Sequence, residues 1–186
     1  MIARMLDHPK IVVAYGLAAD AALASQFLRA IYTGPIDSWF NHCFGRLGYR
    51  TDFELIRANG TMQDVAQVNY CDLSMPWTRI TEHKHFTPWE SHARTVLSRE
   101  TSRNCEPEDT PYYPLRLAGD QPLVDCYFAA ARETNGISFV GRLATYRYLD
   151  MDVAIAEALR AARMISTGLR GGSKPSALFV PTEASA

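Results

Sequence analysis

The sequence predicts an α+β fold, and three features of the chain lead to that prediction. The middle of the chain holds four consecutive segments that alternate in polarity or carry β-branched residues, with turn-forming residues between them. Helical patterns stand before and after this block rather than between its strands, which favours an antiparallel sheet. The end of the chain is patterned as a strand, a turn and an amphipathic helix. We therefore expect an antiparallel sheet with flanking helices and a C-terminal strand-turn-helix.

The elements before the sheet are predicted to be short. Residues 1–7 are patterned as the end of a helix that no capping residue precedes. The segment "KIVVAY" predicts a strand, and residues 17–29 are Ala-rich and tolerate a helix. The segment "AIYTG" predicts a buried strand. The segment "PIDSWFNHCFG" predicts a helix that Pro35 opens and Gly45 ends.

The predicted sheet and the elements after it complete the chain. The four strands are "YRTDFELI", "DVAQVNYCD", "WTRITEHKHF" and "ARTVLSRE". An irregular Pro-rich segment leads to the helix "LVDCYFAAARET" and the strand "GISFVG". The last helix is predicted from Asp152 to Ile165, and one face of it carries Ile155, Ala158, Leu159, Ala162 and Ile165. We expect a sheet domain over 1–135, the strand-turn-helix over 136–165 and a flexible tail over 166–186.

Composition and charge argue against several classes of protein. The formal net charge of −1 favours neither nucleic acid nor an anionic membrane as a partner. No run approaches the roughly 20 apolar residues of a membrane-spanning helix, and the start of the chain has no apolar segment typical of a signal peptide. The four cysteines are scattered without a C-x-x-C spacing, which indicates reduced thiols. We expect a cytoplasmic protein.

Two weak motifs do not amount to ligand sites. His83 and His85 alternate on a predicted strand and would face the same side of it, as two metal ligands could. A third ligand at a useful spacing is missing, and Lys84 would repel a cation, so we predict no metal site. The segment "GLRGGSKPS" lacks the adjacent Gly-Lys pair of a phosphate-binding loop and follows no strand.

Arginines and tyrosines are the stronger candidates for ligand contacts. Arg79 in "WTRIT" and Arg99 in "VLSRE" lie in predicted strands, where each arginine more often pairs within the sheet than binds a ligand. A guanidinium nevertheless suits a diphosphate, because its planar fork donates two hydrogen bonds. The segment "PYYP" holds two tyrosines on a stiff backbone. Packing alone would explain them, whereas tyrosine hydroxyls beside arginines would also suit a sugar-nucleotide pocket.

The segment "FVGRLATYRYLDMDVAIAEAL" carries more aromatic and charged residues than a surface turn needs. It predicts a strand, a short turn and a helix that starts near Asp150–Asp152. One interpretation is that Asp150 or Asp152 caps this helix. The other is that the unpaired N–H groups of its first turn face an anion or an electron-rich ligand edge.

Eight motifs, in this order and spacing, resemble the C-terminal part of UDP-galactopyranose mutases over roughly residues 1–165. They are "MLDHPKI", "IYTGPIDSWF", "LGYR", "VNY", "WTRITEHKHF", "TVLSRE", "PYYPL" and "FVGRLATYRYLDMD". The resemblance implies a flavin-dependent isomerase of cell-wall and cell-surface galactofuranose biosynthesis, which interconverts UDP-galactopyranose and UDP-galactofuranose. Reduced FAD would attack the anomeric carbon through N5 and displace UDP, and the opened sugar would reclose as a furanose.

The same resemblance implies roles for residues that would contact the substrate. Arg79 corresponds to the catalytic arginine that holds the substrate diphosphate. Tyr113 and Tyr148 correspond to tyrosines that also reach the diphosphate. Arg50 corresponds to an active-site arginine, and Asn69 is a weaker substrate-side correspondence.

Three further residues would serve the cofactor. Arg142 corresponds to the arginine that holds FAD. Asp150 corresponds to an acid close to both substrate and flavin, with a catalytic role. Met151 would lie where the helix N-terminus meets the flavin ring, so that the helix dipole stabilises negative charge on the reduced flavin.

The chain also departs from the family pattern. The G-x-G-x-x-G loop of a dinucleotide-binding fold is absent, and the nearest spacing is Gly45-x-x-Gly48. The helical domain that binds uracil and its mobile loop are also missing. We therefore expect residues 136–165 to join an FAD domain supplied by a separate N-terminal polypeptide, with UDP-galactose as the other partner. The chain alone should not retain FAD. The alternatives are an inactive truncated remnant and a flavin-independent module that binds nucleotide sugars.

Overall fold

Two sheets and their connecting helices make up the computed structural model, which describes residues 2–180. Its strands are β1 (Ala30–Tyr32), β2 (Tyr49–Asn59), β3 (Gln67–Asn69), β4 (Arg79–Glu82), β5 (Arg94–Asn104), β6 (Tyr113–Pro114) and β7 (Ile137–Phe139). Its helices are α1 (Ile2–Leu6), α2 (Ala21–Ala24), α3 (Ile36–Trp39), α4 (Gln121–Glu133) and α5 (Met151–Arg170), with 3₁₀ turns at His83–Phe86 and Ala118–Asp120. The predicted α+β class is confirmed.

The larger sheet is antiparallel, with the strand order β3-β4-β5-β2-β6. Strands β2 and β5 are its longest elements and pair from Arg50 opposite Asn104 to Asn59 opposite Arg94. A bulge interrupts this pairing at Asp52, whose φ of 115° lies in the region that side chains other than glycine rarely adopt. Beyond the bulge, successive side chains of β2 and β5 point to alternate faces of the sheet.

The smaller sheet contributes its buried strand β7 to the apolar core, whereas Ile31 of β1 is exposed. Strands β1 and β7 pair in parallel, and Leu178 continues this sheet through a bridge to Phe139. Helix α4 covers it with one apolar stripe. The buried cluster consists of Ile36, Leu47, Tyr49, Val124, Tyr127, Ala131, Ile137, Phe139, Ala144, Tyr146 and Leu178. This core joins the helical elements to the first residues of β2, where the large sheet begins.

A buried carboxylate fixes that junction. Asp37 is 1% exposed, and its oxygens accept hydrogen bonds from the backbone N–H of Leu47 at 3.0 Å and the hydroxyl of Tyr49 at 2.9 Å. The backbone N–H of Ser38 donates to it at 3.0 Å, and His42 Nδ1 lies 3.2 Å away. Burial and this carboxylate raise the pKa of the Tyr49 hydroxyl, which therefore stays protonated as a donor.

Several predicted elements are wrong in extent. The segment "KIVVAY" forms no strand, because no described strand pairs with it, and Val12 is 93% exposed. The strand predicted from "WTRITEHKHF" ends at Glu82, where a 3₁₀ turn begins. Helix α3 is shorter than predicted, since Asn41 and His42 adopt positive φ angles that end it long before Gly45.

Helix α5 is longer than predicted and presents a different face. It runs through Ile165 to Arg170, because Gly168 leaves room for Pro175 to pack against the helix. Residues 166–170 are therefore helical and Leu178 packs in the core, whereas Met1 and residues 181–186 of the predicted tail lie outside the described range. Most of the predicted apolar face is exposed, and the side that meets the protein carries the buried residues Ala161, Ile165 and Gly168.

Candidate functional site

A cavity of about 220 Å³ lies where the first residues of β2 meet β6 and the β7–α5 turn. It brings together four of the predicted site residues and several unpredicted ones. Its lining consists of Arg50, Thr51, Asp52, Phe53, Arg79, Glu100, Ser102, Tyr113 and Tyr148. Five separate parts of the chain, β2, β4, β5, β6 and the turn before α5, therefore meet at one site, which no single motif could have shown.

Arg79 is held by neighbours on both sides of β4. Its Nε donates to Asn69 Oδ1 at 3.1 Å, and its Nη1 lies 3.6 Å from Glu100 Oε2. The side chain of Arg79 is still 41% exposed, so its guanidinium keeps donors that face the cavity. The predicted substrate-side residue Asn69 does not line the cavity and contacts it only through Arg79.

Arg50 reaches the same cavity from the edge of β2. The residue pairs with Tyr113 of β6 on one side and with Asn104 of β5 on the other, and its Nη1 donates to Asn104 Oδ1 at 3.0 Å. The bulge follows directly, at Asp52. A second cation thus faces the cavity beside Arg79, and the same lining carries the carboxylates of Asp52 and Glu100.

Tyr113 and Tyr148 form a stacked pair at the cavity wall. Their ring centroids lie 5.9 Å apart at an interplanar angle of 21°. The guanidinium carbon of Arg142 lies 4.8 Å from the Tyr113 ring and 5.2 Å from the Tyr148 ring. Arg142 Nη2 also donates to the Leu149 carbonyl at 2.7 Å. Arg142, which we expected to hold FAD, is therefore committed at least in part to the two tyrosines.

The turn before α5 is fixed by side chains that the prediction did not assign. Tyr146 adopts a φ of 45°, and its hydroxyl lies 2.7 Å from the Gly48 carbonyl and 2.9 Å from Asp120 Oδ2. Burial, followed by the Asp120 carboxylate, raises the pKa of this hydroxyl. Arg147 pairs with both oxygens of Glu157 on α5, at 2.9 and 2.5 Å. These contacts set the direction of α5 relative to the cavity.

The first turn of α5 itself is open. Asp150 is the N-cap residue by backbone geometry, but its side chain makes no capping hydrogen bond. Met151 is 75% exposed. Neither residue lines the cavity. The N–H groups of the first turn thus face outward without a side-chain partner, which is the arrangement that suits a bound anion or electron-rich ring.

Glu100 and Asp52 are the site residues that the prediction missed. Glu100 follows Arg99 directly in β5, and alternation along the strand puts it on the cavity face while Arg99 faces the other side. Arg99 instead pairs with Glu54 and lies over the Trp77 ring, as a structural sheet arginine does. An acid next to an arginine in a strand was the sequence signal that could have indicated Glu100. The register between β4 and β5 decides which of the two charges faces the cavity.

The two histidines weighed as metal ligands both lie in the 3₁₀ turn His83–Phe86. The idea that they face one side of a strand is wrong, because His83 Nε2 lies 2.6 Å from Ser98 Oγ and His85 Nε2 lies 2.9 Å from the Gln63 carbonyl. Within residues 2–180, no group of three or more His, Cys, Asp or Glu side chains is placed to hold a metal ion. In the same range, no helix is both long and apolar enough to cross a membrane.

Comparison with known proteins agrees with the geometry. A family model described as UDP-galactopyranose mutase matches residues 1–148. A probable UDP-galactopyranose mutase of Klebsiella pneumoniae is 46% identical over 163 residues, which cover 87% of this chain and 42% of that protein. A UDP-galactopyranose mutase of Mycoplasma pneumoniae is 35% identical over 179 residues, with 87% of this chain and 45% of that protein covered.

A third relative carries a different name. A dTDP-fucopyranose mutase of Escherichia coli is 43% identical over 168 residues, which cover 86% of this chain and 45% of that protein. The chain thus spans less than half the length of each of these relatives. The match of the family model over 148 residues, together with the order of the motifs, establishes that this chain belongs to the UDP-galactopyranose mutase family.

Proposed function

We propose that this chain forms the diphosphate-binding wall of a flavin-dependent mutase that interconverts UDP-galactopyranose and UDP-galactofuranose. The observation that carries the proposal is the single cavity shared by Arg50, Arg79, Tyr113 and Tyr148. The two guanidinium forks would donate bidentately to the oxygens of a diphosphate. The carboxylates in the same lining are paired, Glu100 with Arg79 and Asp52 with Arg103. The tyrosine hydroxyls would add neutral donors from the opposite wall. The reaction class is isomerisation, with UDP as the group that leaves and returns.

The residues at the start of α5 would contact only one part of a bound flavin. The first turn of α5 has no side-chain cap, and a helix N-terminus stabilises negative charge placed before it. Asp150 and Met151 would contact the ring there. Arg142 would hold the cofactor with the N–H donors that do not bond the Leu149 carbonyl. Reduced FAD, when bound, would supply the nucleophile for the anomeric carbon. Arg79 would hold the UDP group in place while its bond to the sugar is broken and remade.

The remaining contacts to FAD would come from outside these 186 residues. The G-x-G-x-x-G segment that holds a dinucleotide pyrophosphate does not occur in the chain. We propose that residues 136–165 dock onto an FAD domain provided by another polypeptide or segment. The exposed apolar side chains Ile155 and Leu159 on α5 offer a surface for that contact.

The E. coli relative supports a second candidate substrate. Its name gives dTDP-fucopyranose, so that both base and sugar differ from those of UDP-galactopyranose. The cavity described above would hold the diphosphate, which the two nucleotide sugars share. The assay therefore has to compare both nucleotide sugars directly.

The test is a reconstitution. The chain is purified alone and also co-expressed with the N-terminal half of the Klebsiella relative, and each sample is examined for a flavin absorbance spectrum. Conversion of UDP-galactofuranose and of dTDP-fucofuranose is then measured under reducing conditions. We expect no flavin and no turnover for the chain alone, and both for the co-expressed pair.

Each other result would remove part of the proposal. Stoichiometric flavin in the chain alone would contradict the need for a second polypeptide. A stable flavin-containing pair without turnover would indicate an inactive remnant. Tight binding of UDP without any bound FAD would indicate a nucleotide-sugar binding module.

A further inference from the structure

A second cavity, of about 440 Å³, lies on the same face of the large sheet as the first. The β2–β5 register places Phe53, Leu55 and Arg57 on the face that carries Glu100. Arg94 stands on this face six residues before Glu100, or about 20 Å along β5 at the usual rise per residue. The second cavity is lined by Arg57, His83, Lys84, Thr87, His92, Arg94, Thr95 and Val96. The two cavities share no lining residue.

The lining of the second cavity is strongly basic. Five of its eight residues are arginine, lysine or histidine, and none is acidic. The chain as a whole carries a formal net charge of −1, so this concentration is local rather than a reflection of composition. Clefts lined by charges of one sign concentrate ions of the opposite sign. The lining therefore favours an anion.

Three of the basic groups already have protein partners. Lys84 Nζ donates to the Gly60 carbonyl at 2.9 Å, to Thr61 Oγ1 at 3.1 Å and to the His92 carbonyl at 3.2 Å. These bonds use all three ammonium donors and tie the β2–β3 loop to the loop before β5. His83 contacts Ser98, and the His92 ring lies 3.0 Å from Glu90. Lys84 thus builds the cavity wall rather than offering a free donor.

The two arginines are different. Arg57 pairs with Val96 and Arg94 pairs with Asn59, so that the two arginines are diagonal neighbours on one face, with backbones about 7–8 Å apart. Within residues 2–180, neither side chain makes a hydrogen bond or an ion pair. Adjacent like charges on a sheet are unfavourable unless an anion lies between them. Val96 lies opposite Arg57 and adds an apolar side chain to the lining.

We propose that this cavity binds the phosphate group of a small phosphorylated molecule, with Arg57 and Arg94 as its two ligands. Two guanidinium forks can hold a tetrahedral phosphate from two sides, each through paired hydrogen bonds. The volume falls within the range of organic-ligand pockets and exceeds what a bare ion needs. Val96 would contact the organic part of the ligand. This site does not depend on the proposed mutase activity, because its residues lie away from the diphosphate cavity.

The experiment follows the arginine side-chain Nε–Hε signals of the full 186-residue chain by NMR during titration with inorganic phosphate and, separately, phenyl phosphate. Sodium chloride at matched ionic strength is the control. We expect saturable shifts at Arg57 and Arg94, with phenyl phosphate binding at least about tenfold tighter because it also covers apolar surface. Arg57→Gln combined with Arg94→Gln should weaken phenyl phosphate binding by at least about tenfold.

Matched variants separate this site from the others. Arg163→Gln alters an exposed arginine on α5 and should leave the binding unchanged. Arg79→Ala should also leave the Arg57 and Arg94 shifts intact, whether or not the mutase proposal holds. Equal shifts with chloride would identify an adventitious anion only and overturn the proposal. Unshifted Arg57 and Arg94 signals, or undiminished affinity in the folded double variant, would overturn it as well.

Discussion

Tyr148 of the stacked tyrosine pair lies just before the start of α5 in the chain, yet the protein holds the pair and the helix start very differently. Tyr113 and Tyr148 are fixed by each other and by Arg142, which in turn bonds the Leu149 carbonyl. One residue after that carbonyl, Asp150 makes no capping bond, and Met151 is largely exposed. The diphosphate side of the candidate site is thus held by the chain's own contacts, whereas the flavin side is not.

This difference indicates a division of roles between the diphosphate side and the flavin side of the site. Groups held in place before a ligand arrives lose little entropy when it binds, which favours the diphosphate side as a preformed binding wall. An uncapped helix start with an exposed methionine gains its contacts only when another surface covers it. The following changes test this division, beginning with the largest expected effect.

Replacing Arg79 with alanine should cause the largest functional loss. In the co-expressed pair, we expect kcat/KM to fall by at least about 100-fold, because a charged donor to the diphosphate is removed. The matched control is Arg99→Ala, which removes a neighbouring sheet arginine from the opposite face. Turnover by Arg79→Ala equal to that of Arg99→Ala, with both variants folded, would show that Arg79 does not contact the substrate.

Replacing Asp37 with alanine should cause the largest loss of stability. Its carboxylate accepts bonds from Leu47, Tyr49 and Ser38 in a buried position, and their loss leaves donors unsatisfied. We expect the free energy of unfolding to fall by about 3 kcal/mol or more, measured by urea denaturation. Because Tyr49 begins β2 beside Tyr113, the tyrosine pair should also lose its fixed geometry in the near-UV circular dichroism spectrum. An unchanged unfolding midpoint would rule out Asp37 as the anchor of this junction.

Replacing Arg142 with lysine should loosen the tyrosine stack without unfolding the chain. Lysine keeps the charge but lacks the planar fork that lies over both rings and bonds Leu149. We expect UDP affinity, measured by calorimetry, to fall about tenfold, with broadened Tyr113 and Tyr148 ring signals in NMR spectra. Arg163→Lys on the exposed face of α5 is the control. Wild-type ring signals in the Arg142 variant would show that packing alone holds the stack.

Replacing Asp150 with alanine should have the smallest effect on the chain alone. An N-cap aspartate usually contributes about 1 kcal/mol, but Asp150 makes no capping bond, so we expect a change within about 0.5 kcal/mol. Asp20→Ala is the matched comparison, because Asp20 Oδ1 accepts from the Leu23 N–H at 2.7 Å and caps α2. In the co-expressed pair, Asp150→Ala should lower flavin content or turnover. A large stability loss in the chain alone would make Asp150 a structural cap.

The candidate site residues follow from the family resemblance, because local pattern alone favours sheet pairing for Arg79 and packing for Tyr113. The sequence predicted the strand containing Arg79, the stiff tyrosine segment and the strand-turn-helix around Arg142, and the structure brings Arg79, Tyr113 and Tyr148 to one cavity. What the sequence could not predict depends on strand register. The inward position of Glu100 follows only from the pairing of β4 with β5.

The errors in the fold have similar tertiary causes. Residues 166–180 are rich in glycine and small side chains, which locally indicates a tail, but Gly168 instead admits Pro175 and lets α5 continue. The segment "KIVVAY" has β-forming composition but no described strand beside it. Composition alone could not show which neighbours these segments would meet, because a strand needs a partner and a glycine can allow close packing as well as flexibility.

One NMR titration of the 186-residue chain with UDP tests whether the diphosphate wall is preformed in this chain while the flavin side is not. We expect saturable shifts at the Arg79 side-chain Hε and the Tyr113 and Tyr148 rings, with the Met151 backbone amide unmoved. Unshifted Arg79 and tyrosine signals at saturating UDP would contradict it, as would shifts confined to the start of α5.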